Sequence, residues 1–232
     1  SDKASLIPKV NLKKVKKAID IGCGNGRHLK SLGFRLKKAE IFGVDQLEHE
    51  IHKLNNEFDK HVCKNGNSYS FSVQDIRSIS FEDNSFDMVI CSEVLEHVPN
   101  FEKVIKECYR ILKPGGVLLI SVPSFIPEML CWKYSKKYKQ TPGGHIRIFS
   151  NKLLLENFEK LNLKIFKKNR MHSFHSLYWI LRAKNDMEET PFLKKFHSLL
   201  VKQMFGQAKI SAFIEKLLDP IFGKSKCFYL RK

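Results

Sequence analysis

The run Lys17-Ala18-Ile19-Asp20-Ile21-Gly22-Cys23-Gly24-Asn25-Gly26 constrains the fold more than any other stretch of the chain. A short apolar segment passes straight into three alternating glycines, and Arg27 to Leu36 follows with helical character. Strand, tight turn and helix in that order open a βα unit. Glu40 to Asp45 is a second apolar run that ends in a carboxylate, and polar helical sequence extends from Gln46 to about Asp59. Strands that alternate with helices join by right-handed crossovers and lie parallel, covered on both faces.

The alternation continues. Ser70 to Ile76 and Asn84 to Cys91 read as third and fourth strands, and Phe101 to Leu112 as a helix stopped by Lys113-Pro114-Gly115-Gly116. The continuous apolar run Val117 to Val122 is a fifth, central strand. Beyond it, Ser150-Asn151 caps a helix through Lys160, Leu163 to Lys168 is a sixth strand, and Cys227 to Leu230 closes the chain. Residues 172–222 read as helical. With 232 residues and 43% hydrophobic content the chain buries a real core, which excludes disorder. The expectation is one domain over 1–232 with a helical insertion at about 172–222.

Charge bounds the partners. Forty-one Lys+Arg against 24 Asp+Glu give a formal charge of +17, which attracts nucleic acid, an anionic membrane surface or an acidic substrate. The six cysteines, Cys23, Cys63, Cys91, Cys108, Cys131 and Cys227, show no CxxC pair and no zinc-ligand spacing. No apolar run reaches the roughly 18 residues of a spanning helix. A reducing, cytoplasmic location is expected, with peripheral contact at a membrane left open.

A glycine-rich turn between strand and helix brings backbone N–H groups close to a ligand and suits phosphate or carboxylate. A dinucleotide fingerprint wants Gly or Ala where Arg27 stands, and no G-K-[ST] follows, so neither an NAD site nor a Walker loop is expected. Asp45, at the end of the second strand, is placed to take both hydroxyls of a ribose. Asp75, with Ile76 beside it, suits an adenine amine and ring. The strand ends converge on an adenosine-shaped site.

These motifs, together with Asn84-Ser85-Phe86-Asp87 and Leu112-Lys113-Pro114-Gly115-Gly116, resemble in order and spacing the class I S-adenosylmethionine-dependent methyltransferases over about residues 15–170. The resemblance implies a Rossmann-like, doubly wound α/β fold with a seven-stranded, mostly parallel sheet and a reversed last strand. It implies S-adenosylmethionine as cofactor. Its methionine end would lie over Gly22, Cys23, Gly24, Asn25 and Gly26, with Asp20 near the amino group. Asp45 and Gln46 would hold the ribose side, Asp75 and Ile76 the adenine, and Ser92 and Glu93 the sulfonium wall.

Methyl transfer needs a nucleophile held in line and, for a hydroxyl, a base. His97, just past the fourth strand, has an imidazole with an unperturbed pKa of about 6.5. Glu93, Glu96 and His97 would share one face of a helical turn and resemble the E-x-x-E-H arrangement of metal-assisted O-methyltransferases, for which His145 in Gly144-His145-Ile146-Arg147 is the counterpart of a later ligand. A divalent ion such as magnesium is compatible with that pattern; similar Glu-His endings without metal are the favoured reading, with His97 and His145 as catalytic candidates. His172, His175, Tyr178 and Trp179 line an acceptor pocket or form a buried helix.

Pro191 to Lys226 mixes Phe192, Leu193, Phe196, Leu199, Leu200 and Phe205 with lysines, the pattern of a lid helix or of an interfacial membrane binder. The paired lysines, with Tyr134 and Tyr138 for stacking, also fit RNA, although no RNA-binding module is present. The expected function is methylation, at oxygen, of a small or lipid-like acceptor. An RNA methyltransferase and an inactive cofactor-binding scaffold remain the alternatives, and the oligomeric state is not readable.

Overall fold

The computed structural model describes residue 7 and residues 10–61, 65–204 and 207–232, so that Cys63 and Phe205 lie outside the described residues. The first strand, β1 (Lys17–Ile21), leads into α1 (Arg27–Arg35); β2 (Glu40–Asp45) leads into α2 (Glu48–His61). Then come β3 (Ser68–Val73), β4 (Phe86–Ser92), α3 (Phe101–Ile111) and β5 (Leu112–Pro123). Two helices, α4 (Phe125–Tyr134) and α5 (Lys136–Lys139), precede α6 (Asn151–Lys160) and β6 (Lys164–Met171). The segment before the last strand holds α7 (Ser173–Lys184), α8 (Pro191–Met204) and α9 (Lys209–Phe222), and β7 (Ser225–Arg231) ends the fold.

The seven strands form one sheet in the order β3-β2-β1-β4-β5-β7-β6. The pairs from β3 to β5 are parallel, and β7 runs antiparallel to both β5 and β6. This is the Rossmann-like sheet with one reversed strand that the motifs implied. Alternation along the central strands explains the two covered faces, since successive side chains point to opposite sides. Ile19, Ile21, Val89 and Cys91 pack with Val104, Ile105, Leu154 and Phe158 on the α3 and α6 side. Ala18, Met88 and Ile90 pack with Leu29, Leu32 and Leu54 on the α1 and α2 side.

Several element boundaries differ from the sequence reading. The third strand ends at Val73, so Asp75 and Ile76 stand beyond it rather than in it. The Lys113-Pro114-Gly115-Gly116 run does not stop the chain between helix and strand; Leu112 already pairs with Phe86, and the register shifts between Phe86 and Met88 absorb the proline and glycines. A half-buried carboxylate supports this corner. Asp87 accepts from the Lys16 and Lys17 amides, both at 2.9 Å, and from Lys113 Nζ at 2.7 Å, tying the start of β1 to β4 and β5.

Helices α4 and α5 have no strong periodic signal and were not expected. The insertion is helical as read, and it consists of three helices. No disulfide joins the described cysteines, and no helix among the described residues is long and apolar enough to cross a membrane.

The turn after β1 depends on backbone that only glycine adopts freely. Gly22 has φ +69°, and a Cβ there would stand 2.5 Å from Val94 Cγ2. Gly22→Ala is therefore expected to lower the unfolding free energy by about 1–3 kcal/mol in urea titration, with Val94→Ala in the same chain recovering the steric part but not the backbone part. An unchanged midpoint would mean that the turn relaxes at no cost.

Candidate active site

In a sheet of this kind ligands bind beyond the carboxyl ends of the parallel strands. Those ends here are Ile21, Asp45, Val73, Ser92 and Pro123. Because β7 is reversed, its first residue Ser225 pairs with both Pro123 and Met171, so Lys224 and His172 are delivered to the same edge.

The β1–α1 turn is held from β2. The Gly22 and Cys23 amides donate to the Val44 carbonyl at 2.8 and 3.1 Å, and the Gly24 amide donates to Asp45 Oδ2 at 2.8 Å. Asp45 Oδ1 accepts from the Leu47 amide at 3.0 Å. The buried Asp45 carboxylate thus spends one acceptor site of each oxygen on backbone and keeps the other for a ligand diol. Gly24 has φ +46° and nothing within 4 Å of where its Cβ would be, so its backbone is bare toward the site. Gly26 caps α1 in a left-handed conformation, with Leu54 filling the space of a side chain.

Asp20 is buried beneath this turn. Burial pushes its carboxyl well above the usual carboxylate range and Asp45 adds to the shift, while Arg27, at the start of α1, pulls it back. Such a group is short of a cationic partner, and the amino group of an amino-acid ligand is one. Burial pushes the Cys23 thiol well above its ordinary range, and Asp20 and Asp45 add to the shift. Asn25 and Gln46 are exposed at the rim.

Asp75 and Ile76 separate in the structure. Ile76 is buried in the core beside Val44 and Ile79. Asp75 is exposed, and Arg77 holds its carboxylate with Nε at 2.9 and 3.1 Å, Nη2 at 2.7 Å and its own amide at 2.9 Å. These bonds keep the Asp75 carboxyl down at about 2. An adenine amine would have to share that carboxylate with the guanidinium.

Past β4 the chain does not form the expected helical face. Glu93 has φ +56°, and a single tight turn over Leu95–His97 follows. Glu93 turns back to the sheet, where its Oε1 accepts from Ser121 Oγ at 2.7 Å and Ser121 Oγ lies 2.8 Å from Ser92 Oγ. Glu93 therefore does not join Glu96 and His97; the group within metal-binding reach is Glu96, His97 and His145, whose ligand atoms all lie within 4.8 Å of one another.

Glu96 is fully buried, and neither of its carboxylate oxygens has a hydrogen-bond partner. Burial raises its pKa well above the ordinary value, with Glu93 and Glu128 adding to the shift. His97 Nε2 lies 4.0 Å from Glu96 Oε1, too far for a hydrogen bond.

The two histidines are held in defined tautomers. His97 Nδ1 is 3.1 Å from the Gly144 carbonyl, which only accepts, so Nδ1 carries the proton and Nε2 the lone pair. His145 Nδ1 is 2.7 Å from Glu128 Oε1, which leaves its Nε2 in the same condition. The rings meet edge to face with centroids 5.0 Å apart. Burial, followed by the neighbouring His145, lowers the His97 pKa below the ordinary imidazole value.

Glu128 is the residue that sequence reasoning missed. It is buried on α4 and also accepts from Trp132 Nε1 at 2.9 Å and Tyr138 Oη at 3.1 Å. Its one signal was a carboxylate within the apolar run Phe125-Ile126-Pro127-Glu128-Met129-Leu130-Cys131-Trp132. Tyr138, read as free for stacking on RNA, instead turns inward against Glu128 and His145.

His172 and His175 come together with Glu215 of α9, again with ligand atoms within 4.8 Å. Burial, and then His175, lowers His172 to about 4. Tyr178 is buried with Leu193 and Leu200 of α8, so for it the packed-helix reading holds. Trp179 faces Lys224, whose Nζ lies 5.0 Å from the ring centroid.

Comparison with known proteins agrees with this geometry. Residues 19–120 match the methyltransferase domain family. The chain is 32% identical to the sterol 24-C-methyltransferase of Candida albicans over 143 residues, 62% of this chain and 35% of that protein. It is 35% identical to the ubiquinone biosynthesis O-methyltransferase of Coxiella burnetii over 108 residues, 47% of this chain and 44% of that protein. The chain thus matches less than half the length of these curated relatives.

Among solved structures, geranyl diphosphate methyltransferase in complex with S-adenosylmethionine superposes with a TM-score of 0.63 at 13% identity, covering 93% of this chain and 77% of that one. The cyclase SpnF superposes with a TM-score of 0.60 at 20% identity, covering 94% and 74%. At such identities the likeness is one of fold.

If the diol site is Asp45, Asp45→Ala should weaken S-adenosylhomocysteine binding at least about tenfold by calorimetry, because a buried charge-assisted bond and the Gly24 tether go together. Near-unchanged affinity would remove Asp45 from the site.

Proposed function

We propose that the chain is a class I S-adenosylmethionine-dependent methyltransferase that methylates an oxygen of a small or lipid-like acceptor, with His145 as the base; the match of residues 19–120 to the methyltransferase domain family supports this reading. The observation that carries this reading is the Glu128–His145 pair at 2.7 Å, at the edge where the glycine turn and Asp45 lie. S-adenosylmethionine, when bound, supplies an electrophilic methyl on a sulfonium. The residues of the chain do the rest: Gly24 offers bare backbone, Asp45 a diol acceptor, and Asp20 a carboxylate for an amine.

Glu128 orients the His145 ring and stabilises the imidazolium that forms when Nε2 takes the acceptor proton. His97 packs edge-on against it and fixes its position through Gly144. The names of the sterol and ubiquinone relatives support an acceptor with a large apolar body. The aromatic surroundings, Trp132, Tyr138 and Trp179, suit one.

A second reading has its own observation, the two partnerless oxygens of Glu96. With His97 and His145 they make a donor set of two imidazoles and a carboxylate, which fits a divalent transition metal better than magnesium. Such an ion would hold the acceptor oxygen and lower its pKa.

Turnover of hydroxylated isoprenoid and phenolic acceptors tests the function, and its absence for every acceptor would favour a scaffold. His145→Ala should lower kcat by about 100-fold or more while S-adenosylhomocysteine affinity changes less than about threefold. Chelator separates the two readings: indifference supports His145 as a metal-free base, whereas loss restored by zinc or manganese supports the ion.

A further inference from the structure

Helix α9 is built inside out. Ile210, Phe213, Ile214, Leu217, Leu218 and Ile221 recur at helical spacing along one side, and all are exposed, Ile210 by 80%, Phe213 by 64%, Leu217 by 62% and Ile221 by 72%. An ordinary surface helix turns such a stripe toward the core. Here the polar side faces in: Asp219 Oδ1 accepts from the Ser173 amide at 2.9 Å, Glu215 Oε1 accepts from the Phe174 amide at 3.1 Å, and Gln203 of α8 donates to Glu215 Oε2. The neighbouring α8 buries Leu193 and Leu200 and exposes Phe192, Leu199 and Val201, so it turns only part of its apolar side outward.

We propose that the outward face of α9 docks in the plane of an anionic membrane surface, an inference that rests on the lipid-like acceptor assigned above. Charge selects this occupant. Lys194, Lys195 and Lys202 of α8 and Lys209 and Lys216 of α9 are all exposed, while the acidic residues of the two helices, Glu215 and Asp219, both point inward. An apolar stripe rimmed by lysines with no outward acid complements anionic headgroups. The chain as a whole carries a formal charge of +17, which adds long-range attraction.

Size agrees. A helix of 14 residues is about 21 Å long, too short to cross a bilayer and long enough to lie in its interface. The inner face of α9 bears Glu215, which accepts from the Phe174 amide at the start of α7 and lies 3.8 Å from His175 Nδ1, at the carboxyl edge of the sheet. A membrane on its outer face lies one helix away from the site. On α4 the same division holds, with Glu128 inside and Phe125, Ile126 and Met129 exposed outside.

The test is vesicle flotation of the full chain with phosphatidylcholine alone and mixed with phosphatidylglycerol, at low and high salt. Binding to the mixed vesicles should exceed binding to phosphatidylcholine at least about tenfold and weaken with salt. The variant Phe213→Ser with Leu217→Ser should lose binding at least about tenfold, with unchanged circular dichroism and unchanged S-adenosylhomocysteine affinity. Lys209→Gln with Lys216→Gln should lose the preference for phosphatidylglycerol.

Failure of the wild-type chain to float, or equal flotation of the serine variant, overturns the proposal. So does a dimer in sedimentation that the serine variant splits, with no affinity for vesicles; the stripe would then bind a second copy. Absence of S-adenosylhomocysteine binding alongside normal flotation would instead indict the assigned chemistry and leave the surface standing.

Discussion

One buried carboxylate holds the site together. Asp45 bridges the Gly24 amide and the Leu47 amide, so the turn after β1 and the turn after β2 are a single bonded unit. Without it the glycine turn would have three residues of unusual backbone and two tethers to the Val44 carbonyl. A charge-assisted bond to a backbone amide is stronger than a neutral one, and it is most so where water is excluded. The same atoms that shape the turn are left with lone pairs facing outward. Structure and recognition thus draw on one group, and a substitution at Asp45 cannot remove either alone.

The acceptor side follows a different logic, that of buried charge distributed unevenly. Glu128 meets three donors, from Trp132, Tyr138 and His145, and Glu96 meets none. The first carboxylate is a fixed element that orients a ring. The second is costly as an anion, and its pKa rises accordingly. Two carboxylates a short distance apart with opposed environments are a common basis for divided roles in catalysis. Here one fixes the His145 ring, and the other is left without a partner.

The glycine turn and its tether to the second strand were legible in the sequence because their determinants are local. Gly22, Gly24 and Gly26 sit in one turn, and Asp45 ends an apolar strand; each announces itself by residue type and by neighbours within a few positions. His145 was placed by resemblance, and its contact with His97 was not derivable from spacing. Glu128 was invisible because its role comes from contacts to Trp132, Tyr138 and His145, and a Glu in a short helix has no distinctive pattern. The grouping of Glu93 with Glu96 and His97 failed for a backbone reason: a left-handed residue at Glu93 breaks the helical geometry that the spacing assumed. Asp75 was found at the right edge, but the nearby Arg77 takes its oxygens. The reversal of α9 was equally hidden, since amphipathic periodicity identifies two faces and is silent on which one meets the core.

The reversed strand β7 has a consequence for how such a molecule diversifies. Met171 and Ser225 are paired neighbours, so the chain leaves the sheet after β6 and re-enters it at almost the same point. Everything from α7 to α9 is a cassette whose two ends are already joined by the ladder. Its length and composition are uncoupled from the register of the seven strands, because closing a short turn or a long excursion across the same gap differs little in entropy. The sheet and the glycine turn form a constant chassis, and the cassette is the part free to be exchanged when a different acceptor, or a different surface on which to find it, is required.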